Sequence, residues 1–123
     1  MLTDPVERAK VLHRQVPLTD GHNDLPYKYL RIANRDVWAM DINEIQPELH
    51  TDIPRLREGM LGAQFWSVYV PATMQGEEAV RATLEEIDIV YQMIARYPET
   101  FQLATTADEV EEAFAAGKIA SMM

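Results

Sequence analysis

A histidine and an aspartate two residues apart, His22 and Asp24, are the side chains in this sequence best placed to bind a metal ion together. They follow the apolar, turn-rich run 16–21, which is typical of a short β-strand that ends in a turn. In an extended strand alternate side chains share a face, so His22 and Asp24 would project side by side while Asn23 points away. An imidazole nitrogen and a carboxylate oxygen then reach one ion, and this donor pair suits a borderline divalent metal such as zinc.

The expected position of this pair on its strand also favours a functional site. Pro26 is expected to end the strand, because proline cannot donate a backbone hydrogen bond to a neighbouring strand. The pair would lie at the strand's C-terminal end, where α/β barrels gather their ligands. A second interpretation is that Asp20, Asn23 and Asp24 are turn and helix-cap residues. Asp20 fits either role, as a partner of the histidine or as a turn residue.

The composition is that of an ordinary globular chain. Its 123 residues are 47% hydrophobic and 25% charged, which is enough for one small domain. The sequence contains no cysteine, which excludes disulfides, thiolate metal sites and cysteine nucleophiles and makes a reducing cytoplasm the expected location. We expect neither a signal peptide at the N-terminus nor a membrane span, because no apolar run is long enough.

The charge distribution disfavours nucleic acid as a partner. The net charge is −9, with ten acids against eight bases up to Gly76 and ten acids against three bases after it. We interpret the acidic second half as a solvated helix surface. Phosphate binding needs a basic stripe, and the sequence has none.

The alternation of predicted helices and strands indicates an α/β fold. In chain order the pattern predicts helix 4–15, strand 16–20, a short helix and loop over 27–50, a short helix ended by Gly59, strand 61–70, helix 77–97, strand 101–104, helix 106–117 and a strand from Lys118. Strand 61–70 is nearly apolar on both faces, which is typical of a parallel sheet covered by helices. A barrel or a doubly wound sheet is the natural class.

The same pattern predicts which side chains form the core. In strand 61–70 four large residues are expected to be mostly buried: Phe65, Trp66, Val68 and Val70. In helix 77–97 a stripe at helical spacing is expected to pack on the sheet: Val80, Leu84, Ile87, Tyr91 and Ile94. On this interpretation Leu84→Ala would unfold the chain well before Glu85→Ala does.

The length indicates part of a larger fold. The sequence stops at Met123, inside an apolar segment that reads as a buried strand. A complete (β/α)₈ barrel takes roughly 250 residues. We therefore expect residues 1–123 to form a single partial domain, the N-terminal portion of a barrel cut within a strand.

Several segments together resemble the membrane dipeptidase family, also called renal dipeptidase or peptidase family M19, zinc enzymes of the amidohydrolase superfamily. Residues 20–26, Asp-Gly-His-Asn-Asp-Leu-Pro, resemble the first metal motif of that family. Four further segments resemble later family segments in the family's order: 51–57, 62–71, 97–101 and 117–121. The resemblance covers nearly the whole chain from about Arg8 onward.

The resemblance implies a TIM-barrel-like metal-dependent hydrolase that cleaves dipeptides with two zinc ions. It implies that His22 and Asp24 are ligands of one zinc and that Tyr27 lines the substrate pocket. A bridging glutamate and the histidine ligands of the second zinc would follow Met123. No further catalytic residue is therefore expected within this chain.

Two functions follow as expectations. The first is a zinc dipeptidase of which this chain is the N-terminal fragment, with a possible homodimer in the complete enzyme. The alternative is a catalytically inactive half-barrel that binds a metal weakly, or a partner through its unpaired sheet edge. His13 and His50 could replace the missing ligands by residue type only, and they are expected instead on a helix surface and in a loop. The signal peptide, lipid anchor and disulfides of animal relatives are not evident, so no membrane partner is expected.

Overall fold

Helices and strands alternate along the part of the chain that the structure, a computed structural model, describes, residues 4–123. In chain order the elements are α1 (Pro5–Gln15), β1 (Leu18–Asn23), α2 (Leu25–Ile32), α3 (Ile53–Glu58), β2 (Leu61–Trp66), α4 (Gly76–Arg96), β3 (Phe101–Leu103), α5 (Ala107–Ala115) and β4 (Ile119–Met122). The predicted α/β class is confirmed.

The four strands form one parallel sheet in the order β1-β2-β4-β3. The chain passes from β2 through α4 to the edge strand β3 and returns through α5 to place β4 beside β2. Because all the strands are parallel, their carboxyl ends meet at one edge of the sheet. Helical connections cover such a sheet, as the apolar character of strand 61–70 predicts.

The core has two parts, one on each face of the sheet. The larger part packs α2 and α4 against strand residues and includes Leu25, Tyr29, Trp66, Ile89, Val90, Met93, Phe101 and Ile119. The smaller part packs α5 against the other face and consists of Ala63, Ala104, Ala113 and Ala120. Ile119 and Ala120 belong to different parts because neighbouring side chains of a strand point to opposite faces.

The connection between α2 and α3, residues 33–52, folds back onto the larger core. Three of its apolar side chains are buried: Val37, Ile42 and Leu49. The backbone N–H of Ile42 donates to the Tyr97 hydroxyl at 3.1 Å, and that hydroxyl donates to Asp41 at 2.9 Å. The C-terminal end of α4 thus fixes the connection that leads to α3.

The face of α4 that packs on the sheet is not the predicted one. Val80, Leu84 and Tyr91 are 61%, 60% and 48% exposed. The buried side chains are instead Ala82, Glu86, Ile89, Val90 and Met93. The prediction was wrong for these three residues, whereas Ile87 and Ile94 are partly buried and Ile94 packs against the larger core. The error arose because α4 carries apolar residues on two faces, and the buried face includes a small and an acidic residue that weaken its pattern.

The burial predicted for strand 61–70 is confirmed in part. Trp66 is buried and packs edge to face against Phe101, with ring centroids 5.6 Å apart. Val68 and Val70 follow the strand and are partly buried. Phe65 is 41% exposed because it lies on the face that α5 covers only in part. Within residues 4–123 the helices are too short or too polar to cross a membrane.

Candidate metal centre

His22 and Asp24 lie on the same side of the chain at the C-terminal end of β1. His22 lies within β1, and Asp24 is the single residue between the end of β1 and the start of α2. His22 Nε2 is 3.0 Å from Asp24 Oδ1. Both side chains are open to solvent, with 66% and 52% of their surface exposed. The side-by-side placement expected from the strand is present, and the role of the two residues as metal ligands stays a prediction.

The pair fits part of a zinc site. Two ligand atoms of one tetrahedral zinc ion stand about 3.3 Å apart, and they are nitrogen, oxygen or sulfur atoms. The observed separation of 3.0 Å is that of a hydrogen bond and slightly shorter than this distance, and the nitrogen and oxygen atoms are of the right type. In residues 4–123, no group of three His, Cys, Asp or Glu side chains is arranged to hold an ion. If the pair binds zinc, it would supply two of the three protein ligands that a catalytic zinc needs.

Asn23 points away from the pair and fastens the end of β1. Its Nδ2 donates to Thr51 Oγ1 at 2.9 Å, and its Oδ1 accepts from the backbone N–H of Leu25 at 3.0 Å. Thr51 is buried. The hydrogen bond from Asn23 to Thr51 joins β1 to the segment that precedes α3, 28 residues later in the chain.

Asp20 acts on the backbone of His22. Its Oδ1 accepts from the His22 backbone N–H at 3.2 Å, and its Oδ2 accepts from Gln64 Nε2 at 3.0 Å. Asp20 lies within β1 and not in a turn, so it holds the backbone of His22 from the strand and is itself fixed by the neighbouring strand β2. Gln64 was not predicted as a functional residue, and the only sequence signal for it is an amide within an otherwise apolar strand.

A cavity of about 250 Å³ opens beside the pair. His22, Asp24 and Thr51 line it together with three further titratable side chains: Lys28, Glu48 and His50. His50 thus lies beside the candidate ligands, although the sequence suggested it by residue type alone. His13 lies on α1 and does not line this cavity.

The backbone around His50 is held firmly by Arg55. The Arg55 guanidinium donates from Nη2 to the carbonyl oxygens of Leu49 at 2.8 Å and Gln46 at 3.0 Å. Its Nε donates to Asp52 Oδ2 at 2.7 Å. Burial opposes the ionisation of Asp52, but hydrogen bonds from Arg55 and from two backbone N–H groups hold the pKa of Asp52 below its ordinary value.

Tyr27, predicted to line the substrate pocket, lies on a neighbouring cavity of about 240 Å³ between α2 and α4. Its ring packs edge to face against Tyr69, with centroids 5.5 Å apart. Arg31, Val70 and Glu86 line the same cavity. The role of Tyr27 as a substrate contact stays a prediction.

Glu86 is a buried acid on α4 close to this site. Its side chain is fully buried, and neither carboxylate oxygen accepts a hydrogen bond of normal geometry from residues 4–123. Burial raises the pKa of Glu86 to about 7, and the Asp24 carboxylate acts in the same direction while the backbone N–H of Tyr69 opposes it. Glu86 therefore keeps its proton to a higher pH than an ordinary glutamate does.

The buried position of Glu86 predicts that the chain loses stability as the pH rises from 4.5 to about 7. Over this range the folded chain keeps a proton that the unfolded chain has released, so the free energy of unfolding falls with pH. A pKa difference of this size corresponds to roughly 3 kcal/mol. Urea unfolding at several pH values should show the loss in the unaltered chain and in Glu85→Gln, and a much smaller loss in Glu86→Gln. An equal pH dependence in all three chains would contradict this role for Glu86.

The chain is similar to known proteins in family, sequence and structure. The sequence model of the family described as membrane dipeptidase (peptidase family M19) matches residues 6–123. Dipeptidase ataJ of Aspergillus terreus is 39% identical over 94% of this chain and 30% of its own length. Dipeptidase 3 of Rattus norvegicus is 41% identical over 83% of this chain and 20% of its own length.

Solved structures give the same fold. The dipeptidase AC, a metallopeptidase of family M19, superposes with a TM-score of 0.69 at 25% identity, over 88% of this chain and 36% of that protein. A metallopeptidase from Rhodobacter sphaeroides was solved with a phosphinate mimic of the dipeptide L-Ala-D-Ala. It superposes with a TM-score of 0.70 at 24% identity, over 88% of this chain and 37% of that protein. The chain thus spans 20% to 37% of the length of these relatives. The TIM-barrel-like fold predicted from the sequence is confirmed for the part that this chain represents.

Proposed function

This chain belongs to the membrane dipeptidase family, peptidase family M19, and we propose that it forms the first part of the barrel of a zinc dipeptidase. Members of this family are metal-dependent hydrolases of dipeptides. The observation that supports the proposal most strongly is the approach of His22 Nε2 to Asp24 Oδ1, 3.0 Å apart, at the carboxyl edge of a parallel sheet. Catalytic groups of α/β barrels gather at this edge.

In this proposal His22 and Asp24 hold one zinc ion. Bound zinc supplies a Lewis acid that polarises the peptide carbonyl and makes water more acidic. The His22 ring would bind the ion through a nitrogen lone pair, and the Asp24 carboxylate would offset part of the charge of the ion. The remaining ligands, a bridging glutamate and two histidines, are proposed to follow Met123 in the complete enzyme.

The cavity beside the pair is compatible with a dipeptide substrate. Lys28 and Glu48 line it and carry opposite charges. A dipeptide at neutral pH also carries one positive and one negative end. Because the cavity holds both signs of charge next to the candidate ligands, a short zwitterion fits it better than an extended polypeptide does.

A catalytically inactive half-barrel is the second candidate function. It is favoured by one observation, that residues 4–123 offer no third ligand for an ion at this site. The coding sequence distinguishes the two functions. An in-frame continuation that encodes a Gly-Val-Glu-Gly-Gly-like segment supports the dipeptidase, and a stop codon after Met123 supports the inactive module. A cytoplasmic location and a homodimer of the complete enzyme stay predictions.

Activity is expected only when the remaining ligands are present. The purified 123-residue chain, supplied with zinc, should hydrolyse L-Ala-D-Ala no faster than buffer does, because two ligands do not complete a catalytic zinc site. The full-length product of the coding region should hydrolyse the same dipeptide and lose this activity when zinc is removed with a chelator. Released alanine can be measured in both cases. Zinc-dependent hydrolysis by the 123-residue chain would show that the site is complete without further ligands.

A further inference from the structure

We propose that the buried amide of Gln64 is a positioning residue for the candidate metal site. Gln64 lies on β2 opposite Asp20 of β1 and is fully buried. It does not line the cavity of His22 and Asp24, so it would act through the residues that hold them. This inference rests on the proposed function, because it concerns the same His22–Asp24 pair.

One end of the Gln64 amide controls the backbone of His22. Gln64 Nε2 donates to Asp20 Oδ2 at 3.0 Å and to the Asp20 carbonyl oxygen at 3.2 Å. The other oxygen of that carboxylate, Asp20 Oδ1, accepts from the His22 backbone N–H at 3.2 Å. Two consecutive hydrogen bonds therefore connect the buried amide to the candidate ligand.

The other end of the amide reaches the residue between the two candidate ligands. Gln64 Oε1 accepts from Asn23 Nδ2 at 3.5 Å, and Asn23 Oδ1 in turn accepts from the Leu25 backbone N–H at 3.0 Å. Leu25 directly follows Asp24. A single buried side chain is thus linked to the backbone on both sides of the His22–Asp24 pair.

The strand needs this support because its regular pairing is interrupted here. The register between β1 and β2 shifts between Asp20 and Asn23, the stretch that contains Gly21 and His22. Glycine restricts the backbone least of all residues. No atom lies within 4 Å of the position that a Cβ atom would take at Gly21, so neighbouring side chains do not hold the backbone there. The hydrogen bonds through Gln64 therefore replace ladder pairing as the restraint on His22. The glutamine amide supplies both the donor and the acceptor that this position uses.

The test measures zinc affinity in the full-length protein. Gln64→Met keeps the size of the side chain and removes the amide, so zinc binding should weaken by about 10- to 100-fold, as for other residues that orient metal ligands. The matched control is Ser121→Ala. Ser121 is equally buried and pairs with Gln64 across β2 and β4, and within residues 4–123 its hydroxyl donates only to the Ile119 carbonyl oxygen of its own strand. Its zinc dissociation constant, measured by competition with a chelator, should not change.

A purely structural role for Gln64 predicts a different result. It predicts a lower melting temperature without a change in zinc affinity or in hydrogen exchange at the His22 backbone N–H. Positioning predicts faster exchange at that N–H in Gln64→Met, whereas Ser121→Ala should keep the original rate. A folded Gln64→Met protein with unaltered zinc affinity would overturn the inference.

A second variant keeps the proposal testable if Gln64→Met does not fold. Asp20 is exposed, so Asp20→Ala breaks the same chain of hydrogen bonds without leaving a buried hole. It should also weaken zinc binding, and unchanged affinity would overturn the inference. Loss of zinc on His22→Ala, together with full affinity in Asp20→Ala and Gln64→Met, would leave the proposed function standing and remove only the positioning role. Unchanged zinc affinity in His22→Ala would remove both.

Discussion

Replacing either His22 or Asp24 with alanine is expected to reduce zinc-dependent hydrolysis of L-Ala-D-Ala by the full-length protein to the rate of the metal-free protein. The side chains converge to 3.0 Å, so each variant removes one of the two donors that this part of the chain offers to an ion. A catalytic zinc uses three protein ligands and an open position, and the loss of one ligand leaves too few to hold the metal in place. The measurements are kcat/KM at saturating zinc and the zinc content of each variant.

The matched control for these variants is His13→Ala. His13 is the same residue type, lies on α1 and does not line the cavity beside the pair. Its replacement should leave turnover and zinc content unchanged. Unaltered turnover in a folded His22→Ala protein would refute the assignment of the site.

Replacing Ile89 with alanine is expected to lower the free energy of unfolding by about 2–5 kcal/mol, the usual cost of deleting a large buried aliphatic side chain. Ile89 is fully buried in the larger core. Leu84→Ala removes a side chain that is 60% exposed, so its effect should stay within about 0.5 kcal/mol. A small domain has roughly 5–15 kcal/mol of stability in total, so Ile89→Ala removes a large share of it.

Urea unfolding of the two variants decides which face of α4 packs on the sheet. The two substitutions are on the same helix and both leave alanine, so differences in helix propensity are small. A larger loss for Leu84→Ala than for Ile89→Ala would mean that α4 packs by the stripe that contains Leu84. That result would contradict the arrangement described above.

Much of the fold could be predicted because the signals for it are local. Helix α1 begins after Asp4, whose Oδ1 accepts from the backbone N–H of Val6 at 3.1 Å. Helix α5 has the predicted capping box, in which Thr106 and Glu109 exchange side-chain and backbone hydrogen bonds. These contacts join residues two or three positions apart, so the sequence pattern alone identifies them.

The buried face of α4 could not be predicted in this way. Both of its faces carry apolar side chains, and the choice between them depends on the shape of the sheet surface. The buried face includes Glu86, which a pattern of hydrophobic residues counts as exposed. The strand order was also not predicted, because the pairing of β4 with β2 depends on contacts more than 50 residues apart in the chain.

In the candidate site too, local features could be predicted from the sequence and long-range contacts could not. The side-by-side placement of His22 and Asp24 follows from strand alternation over three residues, and the structure has it. Gln64 and His50 reach the site only through the register of β2 and through the bond from Asn23 to Thr51. These contacts join residues far apart in the sequence, so no local pattern reveals them.

The most direct test of the central claim is a crystal structure of the zinc-loaded full-length protein, with the metal located by its anomalous scattering. The predicted result is a zinc ion bonded to His22 and to an Asp24 carboxylate oxygen, at about 2.0–2.2 Å from each. The ion would replace the hydrogen bond that now joins Nε2 of His22 and Oδ1 of Asp24. Zinc bound elsewhere, with this hydrogen bond intact, would contradict the account.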